Sequence, residues 1–108
     1  MEIETGFGIN PKQMEKSEVF VVRANDEGEP VLEEKRPTKN GKGVFKQYTL
    51  LLKDTDGNDR EARYLFPTHM VELAREFGKN TMAWVGKSVL ITPKQQGEYW
   101  DLELTVTK

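Results

Sequence analysis

The sequence predicts an all-β fold with one short helix. Runs of Val, Phe, Tyr, Thr and Leu alternate with turn signals along most of the chain. Only residues 67–77 carry apolar side chains at helical spacing. A length of 108 residues fits one domain, which we place at residues 17–108 after an N-terminal arm at residues 1–16. Phe7 and Ile9 are candidates for tying that arm down.

The first strands follow from composition and punctuation. Residues 18–24 form a Val/Phe-rich strand that ends at an Asn-Asp-Glu-Gly turn. Residues 31–36 continue it or return beside it, and Pro37 stops them. Residues 38–43 contain Asn-Gly and predict a flexible basic loop. Residues 44–53 are the clearest strand, and the Asp-rich turn at 54–58 pairs them with residues 59–66 in a hairpin.

The pattern changes period at Pro67. Thr68 is the predicted helix cap, Met70, Leu73 and Phe77 follow at helical spacing, and Gly78 ends the helix. Residues 79–85 then form an irregular corner in which Met82 and Trp84 are expected to pack inward.

Two more strands are expected at 88–93 and 99–107, joined through residues 94–98. In the last strand, Trp100, Leu102, Leu104 and Val106 share one face.

The order of these elements predicts the architecture. Five strands with a helix between the third and the fourth are typical of a five-stranded OB-fold-like barrel. An SH3-like barrel is the alternative, although such barrels rarely have a helix at that position. Architecture alone indicates no chemistry.

Residues 64–106 also resemble a known family. The helix ends in Phe77-Gly78, and a Thr-x-x-Trp-x-Gly-Lys corner (Thr81, Trp84, Gly86 and Lys87) leads into the apolar strand at 89–92. This segment resembles small phage and archaeal OB-fold proteins related to single-stranded-DNA-binding proteins. The resemblance implies the barrel and favours DNA over RNA as the ligand.

The distribution of charge indicates which face of the predicted barrel would bind a ligand. The net charge is −2, yet residues 35–53 contain six basic residues and no acidic one. Proteins that bind single strands combine a cationic groove with aromatic platforms on which bases stack. In OB-folds, strands two and three and their flanking loops form that groove. The predicted nucleic-acid-binding residues are Arg36, Lys39, Lys42, Phe45, Lys46, Tyr48, Arg63, Tyr64, Lys94 and Tyr99. A merely solvated lysine loop is the alternative.

Strand alternation predicts which of these side chains face outward. Phe45 belongs to the more polar set of its strand and is expected outside, whereas Tyr48 is expected in the core. On the next strand, Arg63 is expected outside and Tyr64 in the core. A bulge would reverse these assignments locally. Trp100 leads an inward set and could equally plug the barrel mouth, while Tyr99 points the other way.

Catalytic and metal sites find little support in the sequence. The chain has no cysteine and a single histidine, His69, for which a surface position is the default. Residues 54–65 resemble a calcium loop, but the sixth position is Asp59 instead of Gly and the twelfth is Leu65 instead of Glu. Gly86-Lys87-Ser88 lacks the preceding glycine of a P-loop. We therefore expect no enzyme, no cofactor and no metal.

The sequence thus predicts a protein that binds single-stranded DNA, or RNA, with little sequence specificity. The alternative is a protein-interaction module in a replication, repair or viral assembly, for which the acidic arm could serve as a docking segment. A homodimer and a replication or repair protein are compatible partners. No apolar run is long enough to span a membrane, so a cytoplasmic location is expected.

Overall fold

Six strands and one helix make up residues 8–106, the part of the chain that the computed structural model describes. The strands are β1 (Glu18–Val22), β2 (Val31–Pro37), β3 (Val44–Lys53), β4 (Asp59–Leu65), β5 (Ser88–Gln96) and β6 (Tyr99–Val106); the helix is α1 (Pro67–Phe77). Short 3-10 turns cover Pro11–Gln13 and Thr81–Trp84. The predicted β-rich composition with one helix is confirmed, although the described residues form six strands and not five.

Strand β3 organises the sheet. One of its edges pairs first with β2, where Val31 lies opposite Leu50, and then with β1, where Val22 lies opposite Leu52. Its other edge pairs with β4. Strand β1 continues the sheet to β5, and β5 pairs with β6. All pairs are antiparallel, and β1 and β2 count separately because residues 23–30 interrupt them along the same edge of β3.

No ladder joins β4 to β6 within the described chain, so the sheet does not close. The segment that begins at Gly8 packs beside this opening instead. Gly8 pairs with Glu61 of β4 in a parallel bridge, and the Ile9 N–H donates to the Glu61 carbonyl oxygen at 2.8 Å. Ile9 is buried in the core, as predicted for a tie of the arm, whereas Phe7 lies outside the described residues.

The core lies on one face of the sheet and is covered by α1 and the Thr81–Trp84 turn. Alternate residues of β1, β3, β5 and β6 enter it, among them Phe20, Val22, Leu50, Leu52, Val89, Ile91, Leu102 and Leu104. The predicted inner face of β6 is therefore confirmed for its two leucines. Trp84 is buried as expected, but Met82 is 49% exposed, so its predicted inward packing is wrong.

The helix ends differ in how well the sequence predicted them. Gly78 ends α1 as expected, with a positive φ of 100° and its N–H donating to the Ala74 carbonyl oxygen. Thr68 is not the cap. Phe66 occupies that position, and its backbone N–H donates to Nδ1 of His69 at 3.0 Å. The histidine thus satisfies an N–H at the start of the helix.

One carboxylate, that of Asp54, holds the β3–β4 turn. Oδ1 of Asp54 accepts from the N–H groups of Asn58 (2.9 Å) and Asp56 (3.0 Å). The Asn58 N–H in particular lowers the pKa of Asp54 below its usual value. Its stabilisation should therefore be complete above the unfolded-state pKa of about 3.9 and be lost as the pH falls through the lower folded pKa.

We expect the difference in unfolding free energy between the wild type and Asp54→Ala to be larger at pH 7 than at pH 2.5, as measured by urea unfolding. Thr55→Ala, at an exposed position of the same turn, is the control and should show no such pH dependence. An Asp54→Ala deficit that is equal at both pH values would contradict the assigned role of the carboxylate.

Candidate nucleic-acid interface

Strand β4 carries a bulge at Arg63 and Tyr64. Leu50 of β3 lies opposite Ala62, but Tyr48, two residues away, lies opposite Leu65, three residues further along β4. The extra residue breaks the alternation of side chains, so that Ala62 and Leu65 both enter the core. Tyr64 is consequently 61% exposed, and its predicted core position is wrong.

The backbone of Tyr64 is unusual as well. Its φ is 62°, and it is the only non-glycine residue with a positive φ in the described chain. Bulky residues rarely adopt this conformation, since the side chain crowds its own backbone. Such strain is typical of residues whose side chains must be held at a particular place. Here the result is an aromatic ring held out of the core.

The outer face of β2 and β3 lies beside this bulge. Arg36 pairs with Phe45 in the antiparallel ladder, and Glu34 pairs with Gln47. Residues that pair directly lie on the same face of a sheet. Phe45 is 37% exposed, which confirms its predicted outward position. A cavity of about 250 Å³ on this face is lined by Glu34, Arg36, Gln47, Tyr48, Thr49, Arg63 and Tyr64.

Lys46 and Tyr48 alternate with Phe45 along β3 and so point to the opposite face. Tyr48 is half-buried against the core, and its hydroxyl donates to Oε1 of Glu33 at 3.4 Å. Nζ of Lys46 lies 3.2 Å from the same oxygen. The hydrogen bond and the charge of Glu33 raise the pKa of Lys46. Lys46 and Tyr48 therefore do not lie on the same face as Phe45. Tyr48 nevertheless reaches the edge of the cavity.

Like Lys46, the two predicted arginines carry acidic partners that sequence reasoning missed. Nη2 of Arg36 lies 3.2 Å from Glu34, and Nη2 of Arg63 lies 2.8 Å from Glu61. Each carboxylate precedes its arginine by two residues on the same strand. This spacing was the available signal, because residues i and i+2 of a strand share a face. The pairs hold the guanidinium groups in place but reduce the positive charge of the face.

Lys39 and Lys42 lie at the tip of the β2–β3 hairpin, as predicted. The loop is closed by the Thr38 N–H, which donates to the Gly43 carbonyl oxygen at 3.0 Å, and Asn40 accepts from the Lys42 N–H. Both lysines are exposed, and neither forms an ion pair with any residue between 8 and 106. They are uncompensated charges at this end of the sheet, and Lys35 of β2, also exposed and without an ion pair in residues 8–106, is a third.

The β5–β6 hairpin places the remaining predicted residues elsewhere. Lys94 was expected in a loop but lies within β5, opposite Asp101, because β5 extends to Gln96. Tyr99 is 77% exposed, as expected. It lines neither the cavity on the outer face of β2 and β3 nor the cavity between β4 and β6. Trp100 next to it is half-buried.

A second cavity, of about 300 Å³, lies between β4 and β6. It is lined by Gly8, Ile9, Asn10, Pro11, Arg63, Tyr64, Trp100, Asp101 and Leu102. Arg63 and Tyr64 line both cavities, so the bulge forms a ridge between them. Sequence reasoning did not place the N-terminal segment here.

Comparison with known proteins adds no family assignment: no protein-family model matches the chain, and no curated protein is similar to it in sequence. The family resemblance stays a prediction. Among residues 8–106, no cluster of three or more His, Asp or Glu side chains could hold a metal ion. In the same part of the chain, no helix is both long and apolar enough to cross a membrane.

Proposed function

We propose that this protein binds single-stranded nucleic acid, with DNA favoured over RNA by the family resemblance, and with little sequence specificity. The observation that carries the proposal is the strained bulge that turns Tyr64 out of the core. Tyr64 and Phe45 are two exposed aromatic rings on neighbouring strands. Arg36 and Arg63 add two guanidinium groups beside them. Aromatic rings accept any base by stacking, and cations attract the phosphates.

The strand order supports an OB-fold-like barrel as the setting for this site. If β1 and β2 are counted as one interrupted strand, the helix falls between the third and fourth strands, and the central strand pairs with the first and third. The proposed face then corresponds to strands two and three of such a barrel, where OB-folds take their ligands. The segment at Gly8 and Ile9 would close the barrel in place of a β4–β6 ladder.

Binding should depend on salt mainly through the uncompensated lysines. Because each neutralised phosphate of a single strand releases counterions, log K should fall with log salt by about 0.7 per contact. We expect Lys39→Ala/Lys42→Ala to weaken binding of a fluorescent oligothymidine and to reduce this slope, measured by fluorescence anisotropy between 20 and 200 mM NaCl.

The control for this double variant is Lys53→Ala, at the opposite end of β3 and also exposed. It should leave both affinity and slope near the wild-type values. If the wild type fails to bind any oligonucleotide at low salt, the proposed function is wrong. If the loop variant and the Lys53 variant behave alike, the loop is not the site of phosphate contact.

A protein-interaction module is the second candidate, and one observation favours it. Val19 and Val21 share the outer face of β1 and are both exposed. Strand β1 is not an edge strand, because it pairs with β3 on one side and β5 on the other. Exposed apolar side chains in such a position are a feature of protein-binding surfaces. A stable protein partner together with no oligonucleotide binding would favour this function over the first.

A further inference from the structure

The cavity between β4 and β6, which we call the Trp100 slot, has the composition of a base-binding site. Tyr64 and Trp100 contribute aromatic rings, and Leu102 contributes an apolar side chain. Asn10 and Asp101 add hydrogen-bonding groups. A nucleobase needs this combination, because its faces are apolar and aromatic while its edge carries donors and acceptors.

We infer that the Trp100 slot takes one unstacked nucleobase of the bound strand. The inference rests on the proposed function and names what the second cavity would add to it. Because Arg63 and Tyr64 line both cavities, a nucleic-acid strand that crosses the bulge meets the outer face of β2 and β3 on one side and the slot on the other. Tyr64, on the ridge, can contact bases on both sides.

The charges in the slot favour a base over a phosphate. Among residues 8–106, the only cation that lines it is Arg63, which is already paired with Glu61: Nε and Nη2 both lie 2.8 Å from the same carboxylate oxygen. Asp101 adds a second carboxylate to the wall. A phosphate at this place would lie beside negative charge without a free cation, whereas a neutral base would not.

The N-terminal segment forms the opposite wall and is held firmly against β4. Ile9 is buried, and its N–H is bonded to Glu61, the residue that also pairs with Arg63. Asn10 orders the next turn by accepting from the Lys12 N–H at 3.0 Å. A Cβ at Gly8 would lie only 3.3 Å from the Arg63 guanidinium, so glycine allows this close approach. The slot is thus assembled from the N-terminal segment, β4 and β6.

The two tryptophans allow a test on the unmodified protein. In a ¹⁵N-correlated spectrum, each indole N–H gives one peak, and Trp100→Phe identifies which peak is which. The Trp84 indole is buried and bonded to the Gly78 carbonyl oxygen, so its peak serves as an internal reference. We expect oligothymidine to shift the Trp100 peak and leave the Trp84 peak in place. An abasic strand of the same length should bind through its phosphates without shifting either peak.

Affinity gives a second and independent readout. Trp100→Ala should weaken oligothymidine binding about tenfold, within the range for loss of one stacked base. The same variant should leave binding of the abasic strand unchanged. Thr105→Ala is the matched control, because this residue is exposed on the same strand β6 but lines neither cavity. If Trp100→Ala does not fold, the spectra of the wild type still decide.

The outcomes separate the slot from the proposed function. Oligothymidine binding without a shift of the Trp100 peak would overturn the slot and leave the proposed function standing. An abasic strand that shifts the Trp100 peak as strongly as oligothymidine would also overturn it. Absence of any oligonucleotide binding at low salt would overturn both.

Discussion

Replacing Trp84 with Ala is expected to lower the free energy of unfolding by about 3–5 kcal/mol, the range for loss of a large aromatic side chain from a core. Trp84 is only 1% exposed, and its ring lies 6.3 Å from that of Phe77. Its Nε1–H donates to the Gly78 carbonyl oxygen at 2.7 Å, at the end of the helix. The substitution would remove the packing and the hydrogen bond together, as urea unfolding followed by circular dichroism would show.

Two further variants make this prediction specific. Trp84→Phe keeps much of the ring but loses the hydrogen bond to Gly78, so its cost should be smaller and measurable even if Trp84→Ala does not fold. Met82→Ala changes an exposed residue of the same short turn and should cost no more than about 0.5 kcal/mol. A Trp84→Ala effect as small as that of Met82→Ala would show that the corner does not stabilise the core.

The sequence predicted this corner well for Trp84 and badly for Met82, and the reason is geometric. A large aromatic residue between a helix-ending glycine and an apolar strand indicates burial by its size alone. Met82 lies two residues earlier in a 3-10 turn, and residues two apart in such a turn do not share a face. Composition therefore located the turn, while only the backbone determined which side chain points inward.

The candidate site shows the same limit. The outward position of Phe45 follows from simple alternation, because the β2–β3 ladder is regular from Val44 to Leu50. Tyr64 lies where the β3–β4 register shifts, and no residue pattern in β4 marks that shift. The acidic partners of Arg36 and Arg63 were visible in the sequence at i−2. A count of charges along the chain ignores such pairing across one face.

Substitutions at Tyr64 should separate backbone strain from ligand binding. Tyr64→Gly removes the ring and accepts the φ of 62° without strain, whereas Tyr64→Ala removes the ring and keeps the strain. We expect the Gly variant to be more stable than the Ala variant by about 1 kcal/mol, since a left-handed conformation costs a residue with a Cβ roughly that much. Urea unfolding of both variants measures the difference.

The affinity of these variants for oligothymidine should follow a different order from their stability. Tyr64→Gly and Tyr64→Ala should both bind oligothymidine about tenfold more weakly than the wild type, within the range of one lost stacking contact, while Tyr64→Phe keeps the ring and should bind almost normally. A Gly variant that gains stability over Ala but loses affinity relative to the wild type would mean that the strain at Tyr64 serves to present its ring. Normal binding by Tyr64→Gly would show that the aromatic ring does not contribute to binding. Equal stability of the Gly and Ala variants would show that the backbone conformation at Tyr64 is not strained.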